Sequence, residues 1–324
     1  MDAHAAMRAR RPARAAVGAL MVALPASAMF APAQSLAQGT VTPSNPQGVV
    51  AFQLQSSAIG YGGQVLVTGS TPAALTPQAL ELQFSSTGSS SWKTLAFANS
   101  APGSRFRLSA RMTMSGKLRV LDTTTAPGVS TVLQAAASSS TIHRVTVSAS
   151  LRVRRQRIDV LGGTALVFRG RLLPGLRGRL VHLQQRLGHT WHTLASGHAT
   201  AQGAFKIGYV PRALGPQQLR VRFSGDRLNS RVSGRAGRVT VFQQSLASWY
   251  YDRGATACGF NALYGVANRT LPCGTKVQFR LGSRTIMAVV DDRGPYIGGR
   301  VWDLGQNTAA ALGFVGVETI WSTL

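Results

Sequence analysis

From about residue 41 to residue 242, apolar and polar positions alternate with a period of two. Leu180, His182 and Gln184 alternate with Val181, Leu183 and Gln185, and Leu219, Val221 and Phe223 alternate with Arg220 and Arg222. Such alternation sends successive side chains to opposite faces, so these runs, cut by Gly and Pro turn signals, predict half-buried antiparallel strands. Apolar spacing of helical period is nearly missing from this region. The pattern also repeats. Tyr61–Gly69 matches Leu161–Gly170, Ser91–Ala96 matches Thr190–Ala195, Phe106 answers Phe205, and Leu118–Val120 answers Leu219–Val221, at steady offsets of 99 to 101 residues. A period that long marks tandem domains rather than a solenoid. The predicted modules span 41–135 and 142–242. A unit of about a hundred residues with one central tryptophan suits an immunoglobulin-like β-sandwich, although the Cys…Trp…Cys set of antibody domains is absent. Trp92 and Trp191, recurring at equivalent places, are expected to pack in the cores. Ser-, Thr- and Ala-rich 123–141 and proline-bearing 40–47 read as linkers.

The last eighty residues, 245–324, have another character. Thr285–Asp292 alternates as a strand and runs into Gly294-Pro295, a pair that ends strands abruptly. Val301–Leu304 reads as the next strand, and Gln306–Leu312, with three consecutive alanines, as a short helix. The chain is therefore expected to be mainly β. Asp291 and Asp292 are adjacent, so a regular strand sends one toward a groove and the other to solvent. Arg293 is placed to orient a carboxylate or a substrate oxygen. The same four residues, 291–294, also fit an ordinary acidic turn with a local ion pair.

Charge and the N-terminus set the compartment. Lys and Arg number 35 against 10 Asp and Glu, a formal net charge of +25, which draws the protein toward polyanions. Arg8, Arg10, Arg11 and Arg14 precede the apolar run 15–24 and a series of small-residue sites, the order of a secretory signal peptide, here 1–37. The run is shorter than the roughly 20 residues of a membrane span, and no later segment could span a bilayer. The protein is thus expected to be secreted, extracellular or bound to the cell wall, with an anionic wall polymer as partner. Its basic residues are scattered along strands without a nucleic-acid-binding signature, so no nucleic-acid partner is expected. No cofactor is implied. His182, His189, His192 and His198 lack the compact spacing of a metal site and are expected on the surface. The arginines at 152, 154, 155 and 157 read as a solvated strand edge.

The C-terminal unit holds five of the ten acidic residues and both cysteines. In an exported protein, Cys258 and Cys273 are expected to form a disulfide, a staple suited to so small a unit; a catalytic thiol is the alternative. The ordered runs Ala247-Ser-Trp-Tyr250, Thr256-Ala-Cys-Gly259, Asn261-Ala-Leu263, Ala267-Asn-Arg-Thr-Leu-Pro-Cys-Gly-Thr-Lys-Val277, Asp292-Arg-Gly-Pro-Tyr296, Gly299-Arg-Val-Trp-Asp-Leu304 and Ala309-Ala-Ala-Leu-Gly313 resemble the RlpA-like double-psi β-barrel family. The resemblance covers about a quarter of the chain. It implies a six-stranded barrel with a groove for polysaccharide and a lytic transglycosylase that cuts peptidoglycan glycan strands; the alternative is a non-catalytic, expansin-like wall binder. The family's two aspartates fall on Asp292, the implied catalytic acid, and on Asp303, an implied substrate-binding residue together with Asn268, Arg293, Tyr250 and Tyr296. Phe260 stands where the family commonly has Glu, and Asn268 where it commonly has His. One carboxyl suffices in principle, because a lytic transglycosylase uses the muramic 6-hydroxyl as its internal nucleophile.

Overall fold

The computed structural model describes residues 50–71, 78–100, 105–123, 140–251 and 254–324. The signal-peptide segment, the 40–47 linker and most of the 123–141 linker lie outside these residues. Among the described residues, no helix is long and apolar enough to cross a membrane.

The first module is built from β1 (Ala51–Leu54), β2 (Ala58–Gly60), β3 (Gln64–Ser70), β4 (Ala79–Ser86), β5 (Lys93–Asn99), β6 (Arg105–Arg111), β7 (Gly116–Asp122) and β8 (His143–Ser148). β1, β3 and β6 form one antiparallel sheet, and β5-β4-β7-β8 the other, with β2 added parallel to β8. The next eight strands repeat this plan: β9 (Ser150–Val153), β10 (Gln156–Leu161), β11 (Leu166–Leu173), β12 (Leu180–Leu187), β13 (Thr190–His198), β14 (Ala204–Tyr209), β15 (Gly215–Gly225) and β16 (Ser230–Tyr250). Here β9-β11-β14 faces β13-β12-β15-β16, and β10 adds parallel to β16. Each pair of sheets encloses its own core, with Val67, Leu82, Leu118 and Val120 in the first and Phe168, Leu183, Val221 and Val239 in the second. These are the apolar members of the alternating runs. Even the irregularities correspond: a bulge shifts the register at Leu82/Gln83 on β4 and at Leu183/Gln184 on β12, 101 residues later.

The tryptophans depart from expectation. Trp92 and Trp191 belong to neither core; each is half-buried on the outer side of its sheet. The guanidiniums of Arg119 and Arg220 lie over these rings, 4.2 and 4.1 Å from the centroids. Each arginine is held in place by its Nε donating to a glutamine, Gln83 at 3.0 Å and Gln184 at 2.9 Å. The ring buries one face under a cation instead of under aliphatic side chains.

The modules meet at a buried polar hub. Asn229, fully buried, donates through Nδ2 to the carbonyls of Thr113 (2.9 Å) and Val147 (3.3 Å) and accepts from Arg179 at 2.7 Å. Arg179 also makes a two-pronged contact with Asp226 at 2.9 and 3.1 Å. β16 then runs without a break from the second module into the C-terminal unit, so a strand rather than a loop carries the chain across at 242–245. Its last residues join β17 (Gly265–Ala267), β18 (Lys276–Leu281), β19 (Arg284–Asp292), β20 (Trp302–Gly305) and β21 (Glu318–Ser322), with the helix α1 (Gln306–Leu312) between β20 and β21. The pairing closes on itself, β16-β20-β17-β19-β18-β21 and back to β16, giving a six-stranded barrel without a free edge. Trp302, Phe279, Val266, Val290 and Ile320 fill it, the first two edge to face at 5.0 Å. The helix covers the residues its alanines announced and stops at Gly313, whose φ of 67° is the left-handed conformation of a helix terminus.

Candidate functional site

Four strands of the barrel wall bring one residue each into a single row. Ser248 on β16 is in register with Asp303 on β20, Asp303 with Ala267 on β17, and Ala267 with Asp292 on β19. Their chain neighbours Ala247, Val266, Trp302 and Leu304 point into the core, so the row itself faces away from it. Ala267 sits between the two aspartates with nothing larger than a methyl. Two strand spacings of about 4.8 Å place the aspartate Cα atoms roughly 10 Å apart.

A bulge makes this arrangement. Between Val266 and Ala267 the register with β19 slips by one, so Ala267 faces Asp292 and Asp291 is the extra residue. Bulges of this kind recur beside active sites because they re-aim a side chain. Asp291 does not face solvent, contrary to the expectation for a regular strand. It is fully buried, and its Oδ2 accepts from the backbone N–H of Ala262 at 2.8 Å. Its carboxylate takes the space where Gly265 would carry a Cβ, at 2.6 Å from Oδ1, so only glycine fits there. Asp291 thus pins the loop that leads into β17, while Asp292 takes the outward place.

The two outward carboxyls have different surroundings. Asp292 Oδ1 accepts two backbone N–H bonds, from Ala257 and Arg293, both at 2.8 Å. Asp303 Oδ1 accepts from the Ser248 hydroxyl at 2.8 Å. Burial raises the Asp303 carboxyl above the ordinary aspartate value; the Ser248 hydrogen bond and the Arg300 charge pull the other way, and the Asp292 charge raises it further.

Asn268, Arg293 and the two cysteines brace this row. Asn268 is 7% exposed, and its Oδ1 accepts from the N–H groups of Thr270 and Leu271 while its Nδ2 donates to the Val301 carbonyl at 3.2 Å. The amide therefore shapes a turn. Arg293 donates through Nη1 to the carbonyls of Asn268 and Leu271 and through Nη2 to Cys273 Sγ at 3.1 Å. Cys258 and Cys273 are joined by a disulfide, which ties the turn donating to Asp292 to the loop held by Arg293. Tyr250 is half-buried two residues beyond Ser248, opposite Gly305. Tyr296, 81% exposed just after the Gly294–Pro295 turn, and Phe260, 42% exposed, are aromatic surface on the same domain. Ser248, Ala257 and Arg300 were not singled out in the sequence: Ser248 and the Ala257 backbone meet their partners 55 and 35 residues away, and Arg300 acts on Asp303 by charge without a bond. All three lie within the quoted motifs, which is the one signal that pointed to them.

A family model described as "Lytic transglycolase", of the double-psi β-barrel type, matches residues 243–321. The closed six-stranded ring occupies that stretch. The C-terminal domain is an RlpA-like double-psi β-barrel. It is similar to the "Probable endolytic peptidoglycan transglycosylase RlpA" of Synechocystis sp., 37% identical over 87 residues, a match that covers 24% of this chain and 27% of that protein. The chain thus spans about a quarter of the length of that curated relative. Among solved structures, a chimeric titin Z1Z2 tandem shares 14% identity over 60% of this chain and 98% of its own, with a TM-score of 0.22, and the titin I67–I69 fragment shares 8% over 86% and 88%, with a TM-score of 0.28. At such scores neither likeness bears on the fold.

Proposed function

We propose that the RlpA-like barrel cleaves peptidoglycan glycan strands as a lytic transglycosylase, with Asp303 as proton donor and Asp292 as its charged partner. The observation that carries this reading is the row Asp292–Ala267–Asp303–Ser248, in which one carboxyl is an acceptor for two backbone donors and the other is raised by burial. A carboxyl raised by burial is suited to the role of acid. The roles thus reverse those implied by the sequence, where Asp292 was the acid and Asp303 a binding residue. Protonated Asp303 gives its proton to the glycosidic oxygen as the C1–O bond breaks. The resulting carboxylate then takes the proton of the muramic 6-hydroxyl as that oxygen bonds to C1, which leaves a 1,6-anhydro end and restores the acid. The Asp292 charge faces the positive character that develops at C1, and Tyr296 offers an exposed ring for a neighbouring sugar.

In the same reading the protein is exported to the cell wall, and the two sandwiches are immunoglobulin-like modules. Purified glycan strands incubated with the full chain are expected to release fragments with 1,6-anhydromuramic ends in mass spectra. Reducing ends would instead indicate hydrolysis. Retained binding without any product would favour an expansin-like binder, a reading that the internally engaged Asn268 amide supports.

A further inference from the structure

The second sandwich module carries a groove that nothing in the barrel's chemistry uses. It encloses about 990 Å³ on the outer face of the sheet β12-β15-β16-β10, and six arginines line it: Arg155, Arg157, Arg186, Arg220, Arg235 and Arg238. Arg222 and Arg231 line an adjoining hollow that shares Arg220. We propose that this face is a binding site for an extended anionic wall polymer, one whose repeating phosphodiester or carboxylate groups lie across the arginines.

The face is built rather than incidental. In a regular strand Arg235 and Arg238, three residues apart, would point to opposite sides. A bulge in β16 pairs Leu219 with Gly237 and Arg220 with Arg235, leaving Ala236 as the extra, core-facing residue. Both arginines therefore emerge on the outer side. Gly237 permits this with a φ of 120°, where a Cβ would collide with the Gln156 carbonyl. Arg238 is in register with Arg157 on one side and Gln218 on the other, and Arg235 with Arg220, so the guanidiniums arise from strands only about 4.8 Å apart.

Among the described residues, no acid pairs with them. The module has two acidic residues, Asp159 and Asp226. Asp159 pairs with Arg280 of the barrel at 2.9 Å and Asp226 with Arg179. Among the described residues, no ion pair reaches the groove. Arg220 shows the crowding: burial lowers it, and the nearby Arg222 charge lowers it further.

The first module serves as an internal control. It keeps the stack of Trp92, Arg119 and Gln83 that corresponds to Trp191, Arg220 and Gln184. At positions 101 residues apart, however, it has Glu81 for His182 and Leu121 for Arg222. The stack is common to the repeat; the outer-face glutamate beside it is present in the first copy and replaced by His182 in the second. Arg220 covers one face of the Trp191 ring. The choice of a wall polymer over nucleic acid rests on the wall reading of the barrel.

The test uses the full chain and three probes: poly(glycerol phosphate), polygalacturonate and a single-stranded DNA oligonucleotide, titrated at several salt concentrations. The triple variant Arg222→Gln, Arg235→Gln, Arg238→Gln is compared with Arg105→Gln, Arg107→Gln, Arg111→Gln, an equal charge loss at exposed positions of β6. The groove variant is expected to bind at least one of the two wall-type polymers about 10-fold more weakly or worse, with a salt slope shallower by roughly 2 to 3. The β6 variant should change binding less than about 2-fold, and a groove variant with Lys at the three positions should retain most of it. The preferred polymer identifies phosphate or carboxylate as the ligand group. Equal losses in both Gln variants would overturn the site in favour of diffuse charge, and a groove-dependent preference for the oligonucleotide would overturn the wall polymer. Neither polymer contains the bond the barrel is proposed to cut, so this binding stands or falls separately from glycan cleavage.

Discussion

Removing the disulfide by the double substitution Cys258→Ser, Cys273→Ser should loosen the barrel and leave the sandwiches alone. The bridge spans a sequence separation of 15. A loop of that size restricts the unfolded chain by about 3 kcal/mol at 25 °C. The loss is confined to the barrel because both cysteines, and the loops they join, lie between β16 and β18. Amide hydrogen exchange reads the effect locally. Val289 and Val290 donate to the carbonyls of Tyr264 and Thr275 at 2.9 and 2.8 Å, beside the stapled loops. Their exchange should quicken on the order of 10²-fold, the equivalent of about 3 kcal/mol at 1.36 kcal/mol per decade. The amides of Val181 and Leu183, buried in the second module, should exchange as before. Unchanged rates at Val289 and Val290, or an equal acceleration at Val181 and Leu183, would refute this account of the staple. Cys273 is exposed, so treating the wild type with a reductant should reproduce the effect.

Three further outcomes follow from particular contacts. Because the folded-state pKa of Asp303 is raised, the wild type is most stabilised by this group below the unfolded aspartate value and loses that contribution as pH rises through the folded one. Asp303→Asn, which keeps an acceptor for Ser248, should therefore melt higher than wild type at neutral pH, with the gap closing near pH 4; a gap independent of pH would contradict the shift. Gly265→Ala drives a Cβ into the Asp291 carboxylate and should cost about 1–3 kcal/mol in denaturant unfolding, as overpacking does in cores. Asn229→Ala strips Arg179 and the carbonyls of Thr113 and Val147 of a buried partner and should cost about 1–3 kcal/mol, with faster exchange in the segments around 113 and 147 but not in the barrel.

What was legible in the sequence was local. Alternation over 219–223 and the alanines of 309–311 announced β15 and α1 because each depends on side chains a few residues apart, and the tandem offsets are visible because the same short runs recur. The ordered motifs announced the barrel. What was not legible depended on register between distant strands. Adjacent aspartates at 291 and 292 imply opposite faces only in a regular strand, and the bulge against β17 turned Asp291 into a buried loop anchor. The serine that bonds Asp303 lies 55 residues before it. Trp92 and Trp191 read as core residues, since nothing local shows that an arginine 27 or 29 residues later will cover each ring. Asn268 and Arg293 read as substrate ligands, and nothing local shows that the Asn268 amide meets the Thr270 and Leu271 N–H groups and the Val301 carbonyl, or that Arg293 meets the Asn268 and Leu271 carbonyls and Cys273 Sγ.

The central claim is that Asp303 donates the proton and Asp292 assists. It is tested most directly by comparing wild type, Asp303→Asn and Asp292→Asn for release of 1,6-anhydro fragments from glycan strands, with strand binding measured in parallel. Asp303→Asn should lose on the order of 10² to 10⁴-fold in rate while still binding, as removal of a general acid does. Asp292→Asn should lose less, and its rate should fall away at a lower pH than that of the wild type, because the charge that raises Asp303 has gone. If Asp303→Asn releases anhydro fragments at the wild-type rate, or if Asp292→Asn alone abolishes them, Asp303 is not the acid.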